Sequence, residues 1–472
     1  MIGAEELREC CGIVGVSLSG GNSSLPIYYG LYALQHRGQE SAGIAVCENG
    51  EINVLRGMGL VYEVFDERKL ELLRGNNGIG HVRYSTTGAS RIENAQPLVL
   101  DFRGGSIAIA HNGNLVNTQE LRRELEREGR VFHTDSDSEV IAQLLVKELM
   151  RHDLLTAIKE LMLRLRGSYS FVMLVNDALV AVRDPLGFRP LCIGEFNNGY
   201  VVASETAAID VLGGRFLQDV PPGEVVIFKD GELLERHRLY KASNTAHCVF
   251  EYIYFARADS VLDGRLVYDV RLKIGKRLAE EHPAEADIVT PVPDSGVTFA
   301  IGYARHSNIP YMEGFIKNRY VGRTFIMPEQ RMRDVAVRLK LNVVRRNVED
   351  KRVIVVDDSI VRGTTSRKIA NYIRRGGARE VHFRVGSPPI IAPCYMGIDM
   401  STREELIAAN HDVDEICRLI EADTLGYLSL EGLVAAIGLP ARSLCLGCLT
   451  GRYPIEIPGE VCILRQLTLS QF

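Results

Sequence analysis

The sequence predicts two folded units in series, an α+β domain of layered sheets and then an α/β domain with a doubly wound parallel sheet. Three observations carry this. Up to about residue 240 the chain alternates short β-rich runs with glycine turns. Beyond that point come runs that are almost wholly apolar, each followed by a loop and a helical stretch, which is the pattern of strands covered on both faces. The length of 472 residues suits about three average domains or two large ones.

Composition narrows the class. Hydrophobic residues make up 46% and charged residues 24%, so the chain can bury sizeable cores and is not disordered. The 55 Lys and Arg are outnumbered by 60 Asp and Glu, a net charge of -5, which argues against a dedicated nucleic-acid binder. No apolar run approaches the length of a membrane span. Residues 1–10 carry Glu5, Glu6, Arg8 and Glu9 and lack the apolar stretch of a signal peptide. The expectation is a cytoplasmic protein with reduced thiols. Its ten cysteines are too sparse for a small disulfide scaffold, so each serves packing, chemistry or metal ligation.

In the first unit, β-rich runs at 12–17, 44–46, 79–83, 107–111, 171–175 and 201–203 predict strands. A helix is predicted over 26–35. A second begins at Asp137 or Ser138, where Val140, Ile141, Leu144, Leu145 and Leu149 recur at helical spacing. Asp219-Val-Pro-Pro-Gly223 reads as a turn, and polar residues 237–245 mark the boundary. In the second unit, Ile288-Val-Thr-Pro-Val292 and Val353-Ile-Val-Val356 read as buried strands. Helices are predicted at 268–280, 297–306 and 366–376. The expected limits are a leader at 1–10, units at 11–240 and 241–440, and a tail at 441–472.

The most specific string is Val353-Ile-Val-Val-Asp357-Asp358-Ser359-Ile-Val-Arg362-Gly363-Thr364-Thr365-Ser366. A strand delivers two carboxylates to its exposed end, and a glycine and three hydroxyls then open a helix. Backbone amides at a helix N-terminus bind anions, and adjacent carboxylates suit sugar hydroxyls or hydrated Mg²⁺. A lone Asp-Asp is more often a solvated pair, but the whole string resembles the phosphoribosyl pyrophosphate (PRPP) loop of type I phosphoribosyltransferases. That resemblance implies that Asp357 and Asp358 hold the ribose hydroxyls and metal, and that Ser359 and Arg362 of the same loop also bind PRPP. It also implies that Gly363 to Ser366 cradle the 5′-phosphate. Pro291-Val-Pro-Asp294-Ser295-Gly296 is similar to that family's pyrophosphate loop, with Ser295 near the metal. Residues 313–333 carry Lys317, Arg319, Arg323, Arg331 and Arg333. They are expected to form a cationic lid that closes over pyrophosphate, Lys317 among the contacts.

Near the start, Cys11-Gly12-Ile13-Val14-Gly15 opens a strand. If residues 1–10 were removed, Cys11 would carry a free α-amine with an unperturbed pKa of about 7.7–8.0, able to take the thiol proton. Cys10 beside it leaves a second cleavage register open. Further strings follow in order: Leu34-Gln-His-Arg37-Gly38-Gln-Glu-Ser-Ala-Gly43, His81-Val-Arg83-Tyr-Ser-Thr-Thr-Gly88, His111-Asn112-Gly113-Asn114 and Ser136-Asp137-Ser-Glu139. Together they resemble the glutaminase domain of N-terminal-nucleophile amidotransferases, which implies a four-layer αββα domain. Arg83 can pair with the substrate carboxylate and Asp137 can accept from its ammonium. The Asn112 side chain and Gly113 amide can stabilise the oxyanion. Taken singly, Asn112-Gly113 is also a hairpin-turn dipeptide and Asp137 a helix cap.

From Cys11 to about Tyr453 the chain resembles the amidophosphoribosyltransferases. The resemblance implies that glutamine, PRPP and water give 5-phosphoribosylamine, glutamate and pyrophosphate, the first committed step of purine synthesis. Ammonia would pass through an internal channel to C1 of PRPP. It further implies Mg²⁺, purine-nucleotide inhibition and a homotetramer, with no nucleic-acid or membrane partner. Asp350-Lys351 departs from the Gly-Lys common before this strand in relatives. Cys445-Leu-Gly-Cys448 is a C-x-x-C that suits redox chemistry, a metal or neither. The resemblance adds Cys248 and Cys394, and such a set binds Zn²⁺ or a [4Fe–4S] cluster. Spacing does not choose between them; likeness to the cluster-containing members implies iron–sulfur in a structural role. Cys10, Cys47, Cys192, Cys417 and Cys462 are left to packing or the leader. Two alternatives are another glutamine amidotransferase, such as a sugar-phosphate aminating synthase, and a non-catalytic PRPP or nucleotide sensor.

Overall fold

A computed structural model describes residues 11–84, 89–318, 341–400 and 402–459. The leader, Cys10, Ser85 to Gly88, the lid cations Arg319, Arg323, Arg331 and Arg333, and Cys462 lie outside the described residues.

The first unit stacks two antiparallel sheets. One orders its seven strands Arg215–Asp219, Cys192–Phe196, Gly199–Ala203, Gly12–Leu18, Asn77–Arg83, Ser41–Glu48 and Glu51–Met58. The other orders six as Glu232–Arg238, Glu224–Lys229, Ala178–Arg183, Gly167–Val175, Gly105–Leu115 and Leu98–Phe102. The strand Gly12–Leu18 is buried on both faces, and its side chains alternate between two cores. Val14 and Val16 meet Ile27 and Leu31 of the helix Ser24–Ala33, while Ile13 joins Ala108, Ala110 and Val172 between the sheets. On the far side, Ile107, Ile109, Phe171 and Met173 pack under the helices Asp137–Leu149 and Leu154–Arg164. The layers are therefore αββα. The first helix begins at Ser24, before the predicted 26, because Pro26 sits in its first turn, where no intrahelical N–H is needed.

The second unit has a four-stranded parallel sheet ordered Ile288–Pro291, Arg352–Asp357, Glu380–Val385 and Thr424–Tyr427. Alternation again divides the strand: Ile354 and Val356 face the helices Val267–Glu281 and Val297–Ser307, and Val353 and Val355 face Thr364–Arg375. The expected lid segment starts as a strand instead of a loop, since Phe315–Lys317 pairs with Leu341–Val343. A π-helical turn, Glu251–Phe255, links the units, and Cys248 pairs in parallel with Cys445 beside it. Among the described residues, no helix is long and apolar enough to cross a membrane.

Candidate active sites

Cys11 lies buried where its strand begins. Its Sγ donates to the Tyr84 carbonyl at 3.4 Å, and its own carbonyl accepts from Arg37 Nε at 3.2 Å. Burial pushes the thiol pKa up, Arg83 opposes that, and Asp137 and Glu40 add to it. Groups from three separate segments thus act on one sulfur. A thiol held in its neutral form needs an adjacent base.

Arg83 ends the strand Asn77–Arg83, with Nη1 3.7 Å from Glu40 Oε2 and 3.3 Å from the Ala89 carbonyl. Sequence reasoning gave Glu40 no role although it stands inside a quoted motif; a buried cation at the site was the missing signal. Asp137 is the first helical residue and Ser136 is the cap, accepting from the Ser138 amide. Asp137 Oδ2 accepts from the Leu115 amide at 3.1 Å, and Oδ1 lies 3.6 Å from His111 Nδ1. Burial raises its pKa, but His111 and the hydrogen bonds outweigh that and hold it below the usual carboxylate range. An ionised, buried carboxylate suits a substrate ammonium.

Asn112-Gly113 is not a hairpin: both residues lie inside the strand Gly105–Leu115, paired with Gly167–Val175. Gly113 has φ 153°, and a Cβ there would come within 2.1 Å of the Ser168 carbonyl oxygen, so no side chain fits. The Asn112 side chain is fully buried, and neither amide atom has a hydrogen-bond partner among the described residues. Leaving such a group unsatisfied costs about 1–3 kcal/mol, a cost expected of a donor held for a transition state. Flanking His81 is pushed down to about 3 by burial and stays neutral. Asn112→Ala is expected to lower glutaminase kcat by about 10²–10³-fold. Steady-state assays set beside thermal melts check that stability does not fall in parallel.

In the second unit, Asp357 and Asp358 are largely buried at the end of their strand. Asp357 Oδ1 accepts from the Asp358 amide at 2.9 Å, and Ser359 Oγ donates to Asp358 Oδ1 at 2.5 Å. Gly363, at φ 81°, turns the chain into the helix Thr364–Arg375, whose first turn holds Thr364, Thr365 and buried Ser366. The loop bearing Ser295 abuts the same strand end, for the Val292 amide donates to the Val356 carbonyl at 2.8 Å. Lys317 Nζ sits 2.7 Å from Asp294 Oδ2, at that loop. Arg362 turns outward to Glu405, 2.8 Å away. Arg271 was missed. Buried in the helix Val267–Glu281, it donates to the carbonyls of Tyr252, Tyr254 and Ala256. Burial lowers its pKa to about 10 and the charge of Asp358 counters this. Its place at a buried helical position was the available signal.

Comparison with known proteins separates the two halves in the same way. A family model for the glutamine amidotransferase domain matches residues 81–211, and one for the phosphoribosyl transferase domain matches 258–385. The chain is 59% identical to the amidophosphoribosyltransferase of Archaeoglobus fulgidus, over 96% of this chain and 99% of that one. The chain belongs to the amidophosphoribosyltransferase family. It is 53% identical to the Methanocaldococcus jannaschii member, over 97% of this chain and 100% of that one. The solved Bacillus subtilis PRPP amidotransferase, complexed with ADP and GMP, superposes with a TM-score of 0.90 at 48% identity, covering 95% of this chain and 98% of that one. As a member of the family the chain is an enzyme of purine biosynthesis. It makes 5-phosphoribosylamine, glutamate and pyrophosphate from PRPP, glutamine and water.

Within this amidophosphoribosyltransferase fold, Cys248, Cys394, Cys445 and Cys448 come from three distant segments to one place. The Ile391 and Ala392 amides both donate to the Cys448 carbonyl, and the Met396 amide donates to Cys394 Sγ at 3.3 Å. Burial pushes Cys248 up to about 11, and burial and the neighbouring cysteines push Cys445 and Cys448 up further. No group of three or more His, Cys, Asp or Glu that could hold a metal ion occurs among the described residues. The sulfurs are nonetheless near enough to act on one another. Burial favours their neutral thiol forms; deprotonated together they would need a cationic partner such as a metal or cluster. Cys47, Cys192 and Cys417 are free thiols away from this group, and Cys192 and Cys417 donate to the Ala203 and Ala422 carbonyls.

Proposed function

We propose that both half-reactions run through the residues named above, with a glutaminase unit at 11–240, a phosphoribosyltransferase unit at 241–440 and a tail at 441–472. Removal of residues 1–10 gives Cys11 a free α-amine, which takes the thiol proton. The thiolate attacks the glutamine amide carbon while Arg83 holds the substrate carboxylate and Asp137 its ammonium. The Asn112 amide and Gly113 N–H stabilise the oxyanion. The proton passes to the leaving nitrogen, ammonia departs, and water hydrolyses the thioester to glutamate.

Ammonia then crosses an internal channel to the second site. There Asp357 and Asp358 hold the ribose hydroxyls, Gly363, Thr364, Thr365 and Ser366 bind the 5′-phosphate, and Ser359 and Arg362 of the same loop also bind PRPP. Asp357, Asp358 and Ser295 are hard oxygen donors suited to Mg²⁺, which when bound neutralises pyrophosphate charge. Ammonia forms the new bond to C1 as the C1–O bond breaks, pyrophosphate leaves and one proton is released. Lys317 and the lid cations exclude water from the reacting sugar. Cys248, Cys394, Cys445 and Cys448 hold a structural [4Fe–4S] cluster. The enzyme is cytoplasmic and homotetrameric, and purine nucleotides inhibit it.

The observation that supports this reading best is the convergence of Cys11, Arg83 and Asp137 from three separate elements on one buried sulfur. Intact mass is the test. A mature chain beginning at Cys11, with PRPP-dependent formation of glutamate and pyrophosphate, is the expected result; an active chain retaining residues 1–10 sinks the nucleophile assignment. Metal analysis decides the cluster: iron with visible charge-transfer absorption supports it, and a zinc-loaded, iron-free protein overturns it.

A further inference from the structure

Three residues that follow Cys394 touch the glutamine site from the other unit. Asn114 Nδ2 donates to the Tyr395 carbonyl at 3.0 Å. The Met396 carbonyl accepts twice, from Ser168 Oγ at 2.8 Å and from Arg189 Nη2. Gly397, at φ 88°, lies flat on Gly113: a Cβ on it would fall 2.9 Å from the Gly113 carbonyl carbon and 3.1 Å from its oxygen.

The two bonds to Met396 lead to different halves of the site. Ser168 Oγ also accepts from the Asn114 amide at 3.2 Å, and Ser168 pairs with Asn114 in the strand that carries Asn112 and Gly113. Arg189 Nη1 pairs with Glu251 Oε1 at 3.2 Å. Glu251 grips Arg37 at 2.7 and 3.0 Å, and Arg37 holds the Cys11 carbonyl. Arg189, Arg37 and Glu251 are almost wholly buried, so solvent screens none of these bonds. One carbonyl of the second unit is thus joined to the oxyanion strand on one side and to the nucleophile's main chain on the other.

We propose that segment 395–397 is a positioning clamp for the glutaminase half-reaction, with Gly397 and the Met396 carbonyl fixing the Gly113 strand against Cys11. This rests on the oxyanion role given above to Asn112 and Gly113. The units also meet elsewhere, at Arg37–Glu251 and Arg183–Asp263, but segment 395–397 is where the second unit touches Gly113 itself. Gly397 has to be glycine because both its backbone angle and its distance from Gly113 exclude a side chain.

The test compares Gly397→Ala with the parent in the mature, full-length enzyme, using glutamine or ammonia as nitrogen donor. Expected is an about 10²-fold lower kcat with glutamine, with KM for glutamine and the ammonia-dependent rate changed by less than about threefold. Alkylation of Cys11 by iodoacetamide, which needs no oxyanion hole, should keep its rate. Equal losses with both nitrogen donors, or an unchanged kcat with glutamine, overturn the clamp. If Gly397→Ala does not fold, Ser168→Ala decides: it removes the hydroxyl that reaches Met396 without straining the backbone. An about 10-fold fall in glutamine kcat alone is expected, and no fall rejects the proposal. Asn112→Ala separates the two layers of argument. If it spares kcat the oxyanion reading fails, whereas if it lowers kcat and the clamp variants do not, only the clamp fails.

Discussion

Cys11→Ala should abolish glutamine-dependent phosphoribosylamine formation, by at least about 10⁴-fold, and leave ammonia-dependent formation standing. The reason is that Cys11 is the proposed nucleophile, while the loop bearing Asp357 and Asp358 lies in the other unit on its own parallel sheet. The measurement is product formation with glutamine and then with ammonia, at saturating PRPP. Loss of both activities with the fold intact would show that Cys11 does more than attack glutamine. The pH profile has a defined sign. Burial raises the thiol pKa, and the proposed base, the α-amine freed by loss of residues 1–10, acts only when neutral, so glutaminase kcat/KM should rise with pH through about 7.7–8.0. An activity that falls across that range excludes the amine as base.

The complementary change is Asp357→Asn with Asp358→Asn. Both side chains are largely buried, and their shapes survive the exchange. What goes is the two charges proposed to hold the ribose hydroxyls and Mg²⁺. A hydrogen bond to a charged group contributes about 1.5–3 kcal/mol, so two together correspond to about 10²–10⁴-fold in kcat/KM for PRPP. Unlike Cys11→Ala, this loss should appear equally with glutamine and with ammonia, while hydrolysis of glutamine without PRPP persists. A double variant with unchanged PRPP kinetics would remove the aspartates from the site. Calorimetric unfolding checks that the neighbouring Ser359 and Asp358 amide contacts still hold the loop.

Much of the fold is legible in the chain because its signals are local. Val353-Ile-Val-Val356 is wholly apolar and proves to be buried on both faces between helices. The helix from Asp137 shows its spacing directly. The strands Glu380–Val385 and Thr424–Tyr427 were not predicted, since buried His382 and Arg384 break the apolar run and find partners only in the folded sheet. Asn112-Gly113 misleads for the opposite reason. The dipeptide favours a turn, but pairing with Gly167–Val175 holds it extended, and Gly is needed there for the approach of Ser168.

The sequence by itself pointed to the family through its motifs: the Cys11 string, the glutaminase strings that follow it in order, and the loop from Asp357 to Ser366. Each of these motifs is a string of neighbouring residues, and its meaning survives without coordinates. Only the tertiary structure decided how the parts bear on one another. It brought Glu40 to Arg83 and Arg271 to Asp358, turned Arg362 toward Glu405, and set Gly397 against Gly113. Those partners are separated along the chain by tens or hundreds of residues. Burial then sets how strongly each pair interacts, and it depends on the whole packed chain, not on any one stretch of it.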